Sequence, residues 1–152
     1  DQGLIKRLNI GEILKDTITD LKLANDKGID IVQDAIQDNC ETEIIEAEFK
    51  GILSSILSNA IEASPAKSKV EVSLSANDEE FSICVTDQGK GFSDKALENL
   101  FAPHNTDKTY GAGMGLYLAQ RIIKHKYSGD IKVENLADKG SKVSITFKCR
   151  RA

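Results

Sequence analysis

The sequence has no run of eighteen apolar residues, so no segment is expected to cross a bilayer as a helix, and its N-terminus lacks a signal-peptide pattern. Cysteine is sparse: Cys40, Cys84 and Cys149 are odd in number and far apart, with no CxxC pair and no histidine at ligand spacing beside them. That argues against a disulfide framework and a zinc site, and leaves three small apolar side chains in a reducing, cytoplasmic setting. Charge of one sign is scarce too. The 20 basic and 24 acidic residues give a formal charge of −4, which exerts no long-range pull on nucleic acid or anionic lipid. No internal repeat or low-complexity segment occurs. The chain opens on Asp1-Gln2-Gly3 without an initiator Met, as a piece excised from a longer protein would.

What is present is the composition of a folded protein, 40% apolar and 29% charged, in 152 residues, the length of one ordinary domain. Ile13, Leu14, Ile18, Leu21 and Ala24 recur at helical spacing and predict a first amphipathic helix over 12–27, stopped at Lys27-Gly28. Residues 29–36 mix strand alternation with turn residues, and the acidic stretch 38–43 reads as a loop. Phe49, Ile52, Leu53, Ile56, Leu57, Ala60 and Ile61 form a stripe that predicts a second helix, ended by Ser64-Pro65. Val70, Val72 and Leu74, then Phe81, Ile83 and Val85, alternate with polar residues around an Asn77-Asp78-Glu79 turn, predicting an antiparallel strand pair.

A short helix is expected over 94–100, then a mobile loop over 103–115. Leu118, Ala119, Ile122 and Ile123 mark a third long helix closing near Ser128-Gly129. Two further strands, around Ile131 and Val133 and around Val143, Ile145 and Phe147, flank a turn at residues 137–140. Helices interleaved with strand pairs predict an α/β two-layer sandwich. Its sheet is mixed, largely antiparallel, of about five strands, covered on one face by about three helices.

Three features point to chemistry together. Asn59 lies with Ser55 and Glu62 in a polar row at i, i+4 and i+7 of the second helix, and a carboxamide oxygen held there is a hard ligand of the kind Mg²⁺ takes. Asp87-Gln88-Gly89-Lys90-Gly91, followed by Phe92, sits where a strand ends; its glycines let backbone approach a ligand, and its carboxylate accepts from an amino group such as that of adenine. Gly111-Ala112-Gly113-Met114-Gly115-Leu116 runs into a helix, where backbone N–H groups and the helix dipole seat phosphate oxygens, with Lys108 and Thr109 just before it. GxxxxGK[ST] and GxGxxG are both absent, which excludes the Walker and dinucleotide-binding folds.

In this order the motifs resemble the GHKL superfamily, which comprises gyrase, Hsp90, histidine kinase and MutL. Ser58-Asn59-Ala60-Ile61-Glu62-Ala63 resembles its N box, residues 87–91 and 111–116 its two glycine boxes, and Leu100-Phe101-Ala102-Pro103 with Thr106-Asp107-Lys108 the F box and lid of histidine kinases. The likeness spans about 10–147 and implies a Bergerat sandwich: the ATP-binding catalytic domain of a sensor histidine kinase, with ATP and Mg²⁺ bound.

By that resemblance Asn59 holds magnesium and Asp87 takes the adenine amino group, while Gly89 and Gly91 admit the base. Ala63, Phe92, Met114 and Leu116 wall the base. Lys108, Thr109 and the amides of Gly111, Gly113 and Gly115 meet the phosphates, so that Asn59 and Lys108 serve the transfer itself. A single domain over 1–152, with its core at about 10–148, is implied, monomeric and in the cytoplasm, whether or not the parent protein is membrane-anchored. An upstream dimerisation and histidine phosphotransfer domain and a response regulator are the implied partners; nucleic acid and membrane are not.

The sequence departs from the family's pattern in three places. Hydrolysing members carry Glu one turn before the metal Asn, and many histidine kinases have Asn there; here the residue is Ser55, which favours transfer over hydrolysis. Where many histidine kinases have Lys three residues after the metal Asn, this chain has Glu62, which implies either weaker metal and phosphate affinity or reliance on Lys67, Lys69 or Lys108. His104 stands at the second F-box aromatic. Neither His104 nor His125 lies in a phosphoacceptor context, so no autophosphorylation of this chain is expected. An anti-sigma-factor-type serine kinase and a degenerate nucleotide-binding module are the alternatives.

Overall fold

In the computed structural model, which describes residues 4–24, 26–37, 40–101 and 115–148, the first helix begins at a side-chain cap. Asn9 accepts from the backbone N–H of Glu12 at 3.2 Å, and α1 (Ile10–Leu23) buries Ile10, Ile13, Leu14, Thr17 and Ile18. The helix starts earlier and ends earlier than periodicity suggested. The cap lies before the apolar stripe, and Leu23, already 85% exposed, belongs to no buried face. In α2 (Glu46–Ala63) Phe49, Ile52, Leu53, Ile56, Leu57 and Ala60 face inward, and the Ser64 hydroxyl ends the helix by donating to the Ala60 carbonyl at 2.7 Å. The short α3 (Asp94–Asn99) is capped by Ser93. In α4 (Leu116–Lys126) only Ala119 and Ile123 are buried, and Leu118, expected on the inner stripe, is 44% exposed.

Five strands form the main sheet in the order β2 (Asp30–Ile36), β4 (Lys69–Ala76), β5 (Glu80–Thr86), β7 (Ser141–Lys148) and β6 (Asp130–Asn135). The β2–β4 pair is parallel and the other three pairs are antiparallel, so the sheet is mixed and largely antiparallel. Register puts Val72 opposite Val85 and Ile83 opposite Ile145 on a buried face. The opposite face carries Ser73 beside Cys84 and Ser82 beside Thr146, small half-buried residues. Period-two alternation thereby yields two layers, with α1, α2 and α4 on the apolar face. Of the cysteines, Cys40 is buried, its thiol 3.7 Å from the Gln37 carbonyl oxygen, and Cys84 is half-buried, while Cys149 lies outside the described residues.

One feature departs from the expected arrangement. Residues 41–45, expected mostly as an acidic loop, form β3 (Glu41–Ile45), which pairs antiparallel with β1 (Ile5–Asn9) in a separate two-stranded sheet. Thr42 and Ile44 are buried while Glu41 and Glu43 are exposed, and five residues with two inward positions make too short an alternation to stand out from the charge around it. The main sheet is mixed, as expected, through the parallel pairing of β2 with β4, which lies beyond α2 in the chain.

An aromatic cluster joins the layers. Phe147 lies 5.2 Å from Phe49 and 5.1 Å from Phe81, ring centre to ring centre. Tyr127 packs edge-on against Phe49 and donates its hydroxyl to Glu48 at 2.8 Å, and Lys126 pairs with the same carboxylate, which ties the end of α4 to the start of α2. Phe147→Ala is expected to lose about 3–5 kcal/mol, because neighbouring rings and sheet backbone cannot collapse into the space left. Urea unfolding reads this as a lower midpoint at unchanged slope; a loss under about 1 kcal/mol contradicts a shared aromatic core.

Candidate functional site

The C-terminal half of α2 and the strand ends of the sheet enclose a cleft of about 680 Å³. Asn59, Glu62 and Ala63 enter it from α2, because positions i, i+3 and i+4 share a helix face. Asn59 brings an unusual atom: its Oδ1 is buried and has no hydrogen-bond partner among the described residues. An orphaned buried acceptor costs about 1–3 kcal/mol, so one kept here is suited to an incoming donor or cation. Ser55, although in sequence register with Asn59, is fully buried and does not line the cleft. The polar row read from the sequence therefore splits. Ser55 faces the core, and Asn59 and Glu62 face the cleft.

Asp87, just beyond β5, is 4% exposed and held on three sides. Its N–H donates to the Ser141 carbonyl at 2.9 Å, one carboxylate oxygen accepts from the Gly89 N–H at 2.8 Å, and the other accepts from the Ser141 hydroxyl at 2.7 Å. An ionised carboxylate offers about four acceptor sites, so this anchoring leaves capacity for a ligand's amino group.

The glycines here serve close approach. A Cβ on Gly89 would sit 2.5 Å from the Ala63 carbonyl oxygen, so only glycine lets the loop pass under the end of α2. Phe92, a wall of the cleft, is clasped at both backbone groups by Asn135, whose Oδ1 accepts from the Phe92 N–H at 2.8 Å and whose Nδ2 donates to the Phe92 carbonyl at 2.7 Å. Gly91, at φ +80°, fits beneath that clasp.

Apolar surface completes the cleft. Leu116, at the start of α4, lines it with Val133 and Val143 from the sheet, and Gly115, buried, takes the N-cap position of α4. Lys108, Thr109, Gly111, Gly113 and Met114 lie outside the described residues. Lys67 and Lys69 do not line the cleft, and Lys69 instead pairs with Glu71 at 4.0 Å.

Several contributors carry no sequence motif. Ser141 opens β7 as an ordinary strand serine, and Asn135 closes β6 as an ordinary turn residue. Gly140 reads as a hairpin turn, yet at φ +100° it lies so close under the loop that a Cβ would come 2.0 Å from the Asp87 carbonyl oxygen. Its position before a strand was the only available signal, and that signal also fits any hairpin. Gly140→Ala is expected to displace the Asp87 loop and destabilise the domain by about 2 kcal/mol or more, from backbone strain added to the clash. Thermal melts with and without ADP check this, and a wild-type melting temperature contradicts it.

Helices packed over one face of a mixed sheet, with a cleft at the strand ends, define a two-layer α/β sandwich with a ligand-sized cleft. Residues 45–151, more than half the chain, match the family described as histidine kinase-, DNA gyrase B- and HSP90-like ATPase, and the chain belongs to that family. Among curated relatives it is 35% identical over 99 residues to sporulation kinase D of Bacillus subtilis, covering 65% of this chain and 19% of the relative. It is 31% identical over 145 residues to sporulation kinase E of the same organism, covering 94% of this chain and 20% of the relative. The chain thus spans about a fifth of the length of these relatives. Among solved structures, a nucleotide-free catalytic domain of the histidine kinase ThkA superposes with a TM-score of 0.84 at 19% identity, covering 98% of this chain and 99% of that one. The expected fold is therefore present, and the chain is an ATPase domain of that family, with a sensor histidine kinase of Bacillus subtilis among its relatives.

Proposed function

We propose that this domain binds ATP with Mg²⁺ and passes the γ-phosphate to a histidine on a separate dimerisation domain of its parent protein. The observation that carries this reading is the pairing, across one cleft, of a threefold-anchored Asp87 with the unpartnered Oδ1 of Asn59. Asp87 accepts from the adenine amino group, and its anchoring by Gly89 and Ser141 fixes the direction of that acceptor before ligand arrives. Ala63, Phe92 and Leu116 cover the base and exclude water. A hard cation fits the Asn59 oxygen, a neutral carboxamide atom already stripped of solvent. When bound there, Mg²⁺ supplies neutralisation of phosphate charge.

Lys108 and the amides of Gly111 and Gly113 are assigned the phosphates together with Gly115. Ser55 supports transfer over hydrolysis: it is buried off the cleft, so α2 presents no carboxylate one turn before Asn59 to activate water. No helix among the described residues is long and apolar enough to cross a membrane. In a solved complex, ThkA is held with the response regulator TrrA, and that structure superposes on this chain with a TM-score of 0.79. A response regulator is the proposed downstream partner here, and the cytoplasm the proposed location.

The test is transfer from γ-labelled ATP to the dimerisation hairpin of the parent protein. Acid-labile label on histidine is expected. Acid-stable label on serine supports a serine kinase instead, and retained ATP binding without label supports a binding module.

A further inference from the structure

Nucleotide binding as proposed above sets phosphate beside an acidic wall of the described cleft. A nucleoside triphosphate brings about four negative charges, about two of them offset by one magnesium ion, while the described cleft residues include two carboxylates, Asp87 and Glu62. Glu62 is exposed and on the same face of α2 as Asn59, so this wall repels phosphate where the resembling kinases carry a lysine. The described lining contains one basic side chain. Lys95 enters from α3, on the face it shares with Asn99, and it forms no ion pair among the described residues.

From this we infer that Lys95 is a second phosphate-binding cation beside the proposed Lys108, supplying from α3 the positive charge that Glu62 does not supply on α2, and that it helps the site discriminate nucleoside di- and triphosphates from the bare nucleoside. The physical reason is that a side chain on a short helix lining an open cleft keeps its ammonium group solvated until phosphate arrives, so no desolvation penalty is built into the empty site. Hydrogen bonds from an ammonium to phosphate are charge-assisted and directional enough to hold one oxygen. Glu62 then acts from the opposite sign, weakening phosphate binding and easing product release.

The experiment is calorimetric titration of this chain with adenosine, ADP and a non-hydrolysable ATP analogue in the presence of Mg²⁺, for wild type, Lys95→Ala, Lys95→Arg and Lys95→Ala combined with Glu62→Lys. Lys95→Ala is expected to lose about tenfold in affinity for ADP and the ATP analogue while adenosine binding stays unchanged. Lys95→Arg retains most of the preference, and adding Glu62→Lys to Lys95→Ala restores it. An unchanged ratio of ATP-analogue to adenosine affinity in Lys95→Ala overturns the inference, and so does an equal loss for all three ligands, which marks a structural role. Failure of wild type to bind any adenine compound overturns the nucleotide-binding reading itself, and this assignment with it.

Discussion

Asp87→Asn is expected to weaken ADP binding by about ten- to a hundredfold while leaving the fold intact. The substitution suits the anchors and offends the ligand. An asparagine oxygen still accepts from the Gly89 N–H, and its amide still meets the Ser141 hydroxyl, which rotates from donor to acceptor. The amide then points a donor at the place where the adenine amino group also donates. A donor facing a donor forfeits a charge-assisted hydrogen bond, worth about 1.5–3 kcal/mol. Calorimetry with ADP, paired with a thermal melt, separates the two effects. Wild-type affinity in the folded variant refutes the adenine contact. A matching loss of stability and affinity assigns Asp87 to structure instead.

Asn59→Ala has the second large effect, and its signature is unusual. Truncating a buried polar side chain usually strands its partner, but the Asn59 oxygen has none among the described residues. Its removal deletes an unsatisfied acceptor, so stability is expected to stay level or rise by about 1 kcal/mol. Magnesium dependence moves the other way. The increase in ATP-analogue affinity that wild type gains from Mg²⁺ is expected to shrink by about tenfold or more, since one of few protein ligands is gone. Titrating the analogue at fixed and at zero magnesium reads this directly. A variant that keeps the full magnesium effect places the ion elsewhere, and a variant that melts early shows that the oxygen had a structural partner after all.

Much of the site was legible because its chemistry is clustered along the chain. Asn59 and Ala63 share one helical turn, and Asp87, Gly89 and Gly91 share one loop, so spacing alone brings each group to a common surface. Charge was less legible. Lys67 and Lys69 looked available in the sequence and stand off the cleft, whereas Lys95, one polar residue of a six-residue helix, lines it. Nothing in helical periodicity says which way a helix that short will face, because it has too few turns to carry a stripe. The apolar pattern of α4 misled for a related reason: Leu118 fits the stripe numerically, yet the narrow contact of α4 with the sheet leaves it outside.

Residues close in sequence determined the helices, the alternating strands, the layer architecture and the two anchors Asn59 and Asp87, since each depends on period, caps or a local turn. Tertiary structure alone decided which partners hold those anchors. Ser141 meets Asp87 across 54 positions and Asn135 meets Phe92 across 43, while β1 pairs with β3 and β2 with β4 across an intervening helix. Contacts of that separation are fixed by packing of the whole core, so the same serine, asparagine or glycine carries no mark in its own neighbourhood of the loop it supports.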